Sequence, residues 1–450
     1  MIVHVRNFGK IESADIDLSD LTIFVGENNS GKTYLMQLIY GLIDCFFYSK
    51  KFDDFLGDFP ELKINTDVTE IKASDIKFYS SFENELNQFI KLEKNEIVKR
   101  IFNTDKIKIG SLSVEFGNIE HDFYIKPDHV SKYEHEKSLQ RYMFIEDNKE
   151  ILDNVLVDFS DEQHVKEQFT VMKILLLSIV LTEMIFNIPL IHDYNSIIYL
   201  PASRSGLMLL HTDYMANEID NNNFLYHRKN FENKLGLTQP VYKFLTSLLI
   251  YKTNEMISDE NKALISFIDK NIINGSMEKT GNTMRYKPAS SENSLPIYLS
   301  SSLVSEVTPI YQILSGIQKY VFILYDEVET GQHPTKQLQL ARLLVRMVNA
   351  GYRMIVSTHS DTMASAINNL LALSFKNNKS DIIKKLGYEE ADILKSTNVK
   401  AYQFIIGENG KTRVIEVQSH FSIGLGFDFD LFNKANDKIY NDAVAIAEVD

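Results

Sequence analysis

The sequence predicts an α/β fold, a mixed sheet with helices, interrupted by a long and mostly helical insertion. Three observations carry this reading. A buried apolar run, Leu21 to Val25, meets a glycine-rich turn and then a helix-forming run, Tyr34 to Ile43. A second apolar run, Tyr320 to Tyr325, ends on the paired acids Asp326 and Glu327. A third, Met354 to Val356, follows one helix later and ends on Ser357, Thr358 and His359. Short apolar runs bounded by turn residues read as buried strands. Strands that alternate with helical stretches indicate an α/β sheet.

The chain opens with two strands. Ile2, His4 and Arg6 alternate with Val3 and Val5, and Ile11 to Leu18 alternates again. The turn after the third strand reads GENNSGKT, Gly26 to Thr33, and fits G-x-x-x-x-G-K-[ST]. Strand, glycine loop and helix form the context this phosphate-binding pattern needs. Gly26 and Gly31 let the backbone N–H groups of the loop, Asn28, Asn29 and Ser30 included, turn inward around phosphate oxygens. The new helix adds its positive N-terminal end. Lys32 is expected to reach the β- and γ-phosphates, and Thr33 to ligate Mg²⁺. A plain glycine turn does not explain the Lys-Thr pair. ATP and Mg²⁺ are therefore the expected ligands.

Composition sets outer bounds. The chain has 450 residues, 44% of them hydrophobic, enough for a large core. Formal net charge is −14, which argues against nonspecific wrapping of nucleic acid but leaves room for a local basic groove. Cys45 is the single cysteine, so there is no internal disulfide, CxxC or zinc hook. The N-terminal segment lacks the layout of a signal peptide. The most apolar stretch, Ile174 to Phe186, is shorter than the about 20 residues that span a bilayer. It reads as a buried helix or one that meets a partner. The expectation is a cytoplasmic protein without a membrane segment.

Between the strong signals the chain is plainer. Helical spacing runs from Phe82 to Ile101. Lys91, Lys94, Lys99 and Arg100 lie there among Glu93 and Glu96, a mix that favours a solvated face over a nucleic-acid patch. Residues 107 to 125 alternate as a meander, and 161 to 187 read as helix. Ser196 to Leu200 is a buried strand leading into PASRSGL. Residues 207 to 275 read as mostly helical, with an asparagine cluster at Asn221 to Asn223. Strands follow near Thr283 to Pro288 and Leu295 to Leu299. No repeat or extended heptad run is present. The expected organisation is a head formed by 1–50, 196–206 and 281–450. Segments 51–195 (strands and helices) and 207–280 (helical) are inserted.

An apolar strand that ends on Asp-Glu is a Walker B motif. Asp326 is expected to hold Mg²⁺ through water, and Glu327 to take a proton from the attacking water. The order of strand, Asp-Glu, helix, strand and histidine resembles an ABC-type ATPase, grouped with RecF, SMC and OLD proteins. NFGKIESADIDLSDLTIFVGENNSGKT, DEVETGQHP and STHSDTM carry the likeness. It implies an ABC-type P-loop head in which His359 contacts the γ-phosphate. The element IIYLPASRSGL resembles the family's Y-x-P-A-x-R. It implies that Arg204 sits near nucleotide or the dimer seam; an ordinary turn with an exposed arginine competes. LSSSLVSEV lies at the place of the family's signature motif. Ser301 and Ser302 would then offer hydroxyl and N–H groups to nucleotide on the other subunit. Leu303 replaces the usual glycine, and a simple serine cap on an apolar helix competes.

Departures narrow the resemblance. There is no long coiled coil and no cysteine hook. Asp428 and Asp430 form D-x-D without a preceding buried strand at nuclease spacing, so they read as a turn and helix cap. The chain then resembles stand-alone ATPases of two-gene bacterial anti-phage systems such as PARIS and Septu. That implies a homo-oligomer of ATP-sandwiched heads, a separately encoded effector protein and a phage protein trigger. Two alternatives remain: a RecF-like repair clamp on duplex DNA, and a non-hydrolysing scaffold. The complete Walker B argues against the scaffold.

Overall fold

The computed structural model describes the chain apart from residues 65, 128–138, 148, 187–196, 203, 209–235, 250, 255, 281–282, 377–378, 397, 421–425 and 448–450. The asparagine cluster expected at 221–223 and part of the 207–280 segment lie outside the described residues.

The first half opens on strands β1 (Ile2–Phe8), β2 (Ile11–Asp17) and β3 (Leu21–Gly26). Helices α1 (Lys32–Tyr48) and α2 (Lys50–Asp58) follow, then β4 (Thr69–Ile71) and the 27-residue α3 (Ile76–Phe102). Next come β5 (Ile109–Glu115), β6 (Phe123–Pro127), β7 (Leu139–Glu146), β8 (Lys149–Asp158), α4 (Glu162–Phe186) and β9 (Ile197–Leu200). The second half holds α5 (Gln239–Leu249), α6 (Asp259–Phe267), β10 (Gly275–Thr280), β11 (Thr283–Pro288) and β12 (Leu295–Pro296). It continues with α7 (Ser302–Ser315), β13 (Phe322–Tyr325), α8 (Pro334–Asn349), β14 (Arg353–Thr358) and α9 (Asp361–Ser374). The last elements are α10 (Lys379–Leu386), β15 (Val399–Ile406), β16 (Thr412–Glu416) and α11 (Asp430–Ala447).

A nine-stranded mixed sheet runs β5-β1-β2-β16-β15-β3-β14-β13-β9. The strands from β15 to β9 are parallel, and those around β1 pair mainly antiparallel. Each residue of β3 is buried because helices cover both faces. Phe24 enters one core with α1, α3 and α4; Leu21, Ile23 and Val25 enter the other with α7, α8 and α9. This two-sided burial is why the strand reads as a continuous apolar run. β1 has one side in the core and alternates instead.

The fold is a mixed α/β sheet flanked by helices, with a glycine-rich loop after β3 and inserted segments. Two details extend the sequence expectation of strands and helices in 51–195. β5, from the segment assigned to the insertion, pairs with β1 and forms the edge of the head sheet. Besides helices, the insertion carries its own four-stranded sheet, β4-β6-β7-β8. A three-stranded sheet, β10-β11-β12, precedes α7. Helix α4 is apolar and long enough to cross a bilayer by composition. Its C-terminal half, from Leu176 onward, is largely buried inside the protein.

Candidate nucleotide site

Parallel strands β3, β13, β14 and β9 all end on one edge of the sheet, so the residues just beyond them meet. That edge is the usual ligand position in α/β folds. The loop after β3 turns through Gly26 (φ 157°), Asn29 (φ 61°) and Gly31 (φ 101°). Lys10 Nζ braces it from outside, donating to the carbonyl of Asn29 at 2.7 Å. Asn28 and Asn29 are exposed, Ser30 is buried, and Thr33 is half-buried on the first turn of α1.

Lys32 folds back into this loop. Its Nζ donates to the carbonyl of Gly26 at 2.8 Å and of Glu27 at 3.1 Å, and lies 3.1 Å from His359 Nδ1. Burial pulls its pKa down to about 8, while the charges of Asp326, Glu327 and Glu329 pull the other way. Among the described residues no carboxylate oxygen reaches it as an ion-pair partner. A desolvated ammonium on the first residue of a helix fits a polyphosphate.

Asp326 follows β13 and is fully buried. Its Oδ1 accepts from the Ser357 hydroxyl at 2.5 Å, and its Oδ2 accepts from the Tyr199 hydroxyl at 2.9 Å. Tyr199 accepts in turn from Gln37 of α1 at 3.2 Å. Two hydroxyls therefore fix the orientation of the acid. Thr33 and Asp326 supply the hard oxygen donors that Mg²⁺ prefers.

Glu327 adopts a left-handed backbone, φ 44°. For a non-glycine residue this costs on the order of 1–3 kcal/mol and persists only where the surroundings hold it. The Ser357 hydroxyl holds it by accepting from the Glu327 N–H at 2.8 Å. Its Oε1 lies 3.3 Å from His359 Nε2. That contact, chiefly, holds the Glu327 carboxyl below the usual range against a partial burial penalty. His359 also has its N–H bonded to Glu329 Oε1 at 2.6 Å and its Nδ1 2.9 Å from the Gly26 carbonyl. One imidazole thus joins the phosphate loop to the acid pair.

Arg204 differs from expectation. It is neither exposed nor turned toward the phosphate loop; it is fully buried. Its Nη1 donates to the carbonyls of Pro201 and Asp326, both at 2.7 Å, and Nη2 to that of Glu327 at 3.1 Å. Nε lies 2.8 Å from Glu306 Oε2, a close ion pair without hydrogen-bond alignment. The guanidinium also stacks over Tyr325, 4.6 Å from the ring centre. Its donors face protein groups in the interior, so it braces the Walker B turn from behind.

Ser301 caps α7 by position, but its hydroxyl makes no capping bond. Ser301 and Ser302 are exposed and Leu303 is half-buried. The Ser302 hydroxyl donates weakly to the Gly331 carbonyl at 3.4 Å, beside the Walker B loop. Tyr199 and Ser357 were not singled out from sequence. The only signals were a tyrosine and a serine at the ends of buried strands, which most often are plain structural positions.

Residues 1–364 match the family model AAA_15, described as AAA ATPase domain. The chain belongs to that family. No curated protein matches it. Similar solved structures include an SMC head bound to the C-winged helix domain of ScpA, with TM-score 0.38, 10% identity, and 94% of this chain and 99% of that one covered. Another is the SMC head domain from Thermotoga maritima, with TM-score 0.33, 12% identity, and coverage of 93% and 98%. A third is an Smc head with an extended coiled coil bound to the C-terminal domain of ScpA from Pyrococcus furiosus, with TM-score 0.33, 10% identity, and 98% of each chain covered. Likenesses this distant bear no weight on what the chain binds.

Proposed function

We propose that the chain is a Mg²⁺-dependent ATPase whose two heads close on two nucleotides, and whose cycle switches a separately encoded effector protein. The observation that carries the ATPase reading is the convergence of Lys32, Glu327 and His359 at one sheet edge, with contacts of 3.1 and 3.3 Å linking them. Lys32 and the loop N–H groups, from Gly26 to Thr33, bind and orient the phosphates. Thr33 and Asp326 would hold Mg²⁺, which would supply positive charge to neutralise the phosphates. Glu327 is ionised at neutral pH and positioned as general base: it takes a proton from water for in-line attack on the γ-phosphorus. His359 moves between Glu327 and the γ-phosphate and so reports whether that phosphate is present. Ser301 and Ser302, exposed at the start of α7, engage the nucleotide of the partner head.

The wider role rests on the sequence resemblance to stand-alone ATPases of two-gene anti-phage systems. On that reading the inserted segments recognise a phage protein trigger and the effector. The acidic balance, −14, supports a protein partner over duplex DNA.

Lys32→Ala and Glu327→Gln test the site. Lys32→Ala should lose ATP binding, while Glu327→Gln should bind ATP and stop hydrolysing it. Equal ATP retention by the two variants would sink the assignment. Affinity capture of the Glu327→Gln protein from its host tests the wider role. A stoichiometric protein partner supports it; duplex DNA alone points to a repair clamp.

A further inference from the structure

Several contacts hold Asp326, and one of them leads out of the sheet to α1. The Asp326 N–H donates to the Leu200 carbonyl at 2.9 Å, and the Asp326 carbonyl accepts from Arg204. Ser357, at the end of β14, donates its hydroxyl to Oδ1. Tyr199, on β9, donates its hydroxyl to Oδ2 at 2.9 Å. A phenol has one proton, so the same oxygen is left to accept, and Gln37 Nε2 donates to it at 3.2 Å. Gln37 lies one turn beyond Thr33 on the same face of α1.

Tyr199 therefore joins the two elements that carry the oxygen donors assigned to Mg²⁺. One is the helix turn that bears Thr33; the other is the strand end that bears Asp326. All three members of the chain are buried: Gln37, Tyr199 and Asp326. Each oxygen of the Asp326 carboxylate already accepts from a hydroxyl. Turning the carboxylate toward an ion would break one of these bonds inside the protein, where a lost hydrogen bond is costly.

We infer that Tyr199 is a positioning residue for the divalent ion. Its hydroxyl holds the Asp326 carboxylate back, so that Asp326 meets the ion through water. Such a site favours Mg²⁺, which sheds its water reluctantly. The inference rests on the Mg²⁺-dependent ATPase reading of this site. Without the Tyr199 hydroxyl, Oδ2 is released and the carboxylate turns about its Ser357 bond toward the ion. Direct carboxylate contact then favours Mn²⁺, which gives up water more readily than Mg²⁺.

Electron paramagnetic resonance of Mn²⁺ on the ATP-loaded Glu327→Gln chain tests this, with Mg²⁺ as competitor. In that background, Tyr199→Phe should raise the Mg²⁺ needed to displace half of the Mn²⁺ by at least tenfold. ATP should be retained and far-ultraviolet circular dichroism unchanged. Gln37→Leu, which frees the phenol from α1, should give a smaller shift in the same direction. A merely structural tyrosine would alter stability and leave the competition where it was. Unchanged competition in Tyr199→Phe, or a shift toward Mg²⁺, overturns the inference while the nucleotide site stands. If Tyr199→Phe does not fold, Gln37→Leu decides, and wild-type competition there overturns it. Lys32→Ala in the same assay reports on the site itself. If it keeps ATP and Mn²⁺, the ATPase reading fails and this inference falls with it.

Discussion

Gly26 and Lys32 show how single residues set the phosphate loop. A Cβ on Gly26 would sit 2.8 Å from the Phe404 Cβ and 3.0 Å from the Phe404 carbonyl oxygen. β15, which pairs with β3 at that point, would have to shift. Gly26→Ala should therefore destabilise the fold by about 1–3 kcal/mol, the usual cost of overpacking. It should also weaken ATP binding, and chemical denaturation with nucleotide titration checks both. Lys32 makes a pH prediction. Its native pKa is lowered to about 8 from 10.5. Between those values the unfolded chain binds the extra proton, so this group's contribution to stability rises with pH across that window. Triphosphate needs the charged form. Above about pH 8, ATP binding should take up a proton and weaken by up to about tenfold per pH unit. Calorimetry in buffers of different ionisation enthalpy reads the uptake directly. A wild-type affinity flat from pH 7 to 9.5 would remove Lys32 from the phosphate site. These two residues were legible because the motif demands them at fixed spacing. Tyr199 and Ser357 were not, because their work depends on strands that meet only in the folded sheet.

At the scale of elements, the brace between α7 and the Walker B turn is the new feature. Arg204 and Glu306 are both buried, and Glu306 Oε1 also accepts from the Ser205 N–H at 3.1 Å. Removing one partner of a buried pair leaves the other uncompensated, at a cost of about 3–5 kcal/mol. Arg204→Met should lose stability of that order. Arg204→Met with Glu306→Leu should recover much of it, because an apolar pair of similar size can replace a buried ion pair. Hydrolysis should remain low in the double variant, since the Asp326 and Glu327 carbonyls lose the guanidinium that holds them, and the Thr330 N–H on the Glu327 carbonyl does not replace it. Denaturation and turnover measured on the same samples separate the two effects. Wild-type turnover in the double variant would show that Arg204 is structural filling only. The Y-x-P-A-x-R element drew attention to Arg204, but sequence could not tell a nucleotide contact from a backbone brace, because both want an arginine after a buried strand. β5 was harder still. It alternates like any half-buried strand, and its place beside β1 is set by a contact across about 100 residues of chain.

On the proposed two-head reading, one sheet edge carries half of a nucleotide site, and two exposed serines start α7. Closure by a second head would bring those serines to the nucleotide that the first head holds. In isolation the head has Lys32, Asp326, Glu327 and His359 but leaves Ser301 and Ser302 facing solvent. Hydrolysis should then depend on dimer concentration, and ATP-loaded Glu327→Gln should sediment as a dimer. Ser301→Glu tests the geometry without ambiguity about folding. An acid near a helix N-terminus stabilises the helix by about 0.3–1 kcal/mol, so α7 should not melt. The same charge would repel a partner's γ-phosphate. Ser301→Glu should bind ATP normally as a single head, fail to dimerise in the Glu327→Gln background, and lose most turnover. If the ATP-loaded double variant still sediments as a dimer, the serines do not face the partner's nucleotide, and the heads meet through another surface.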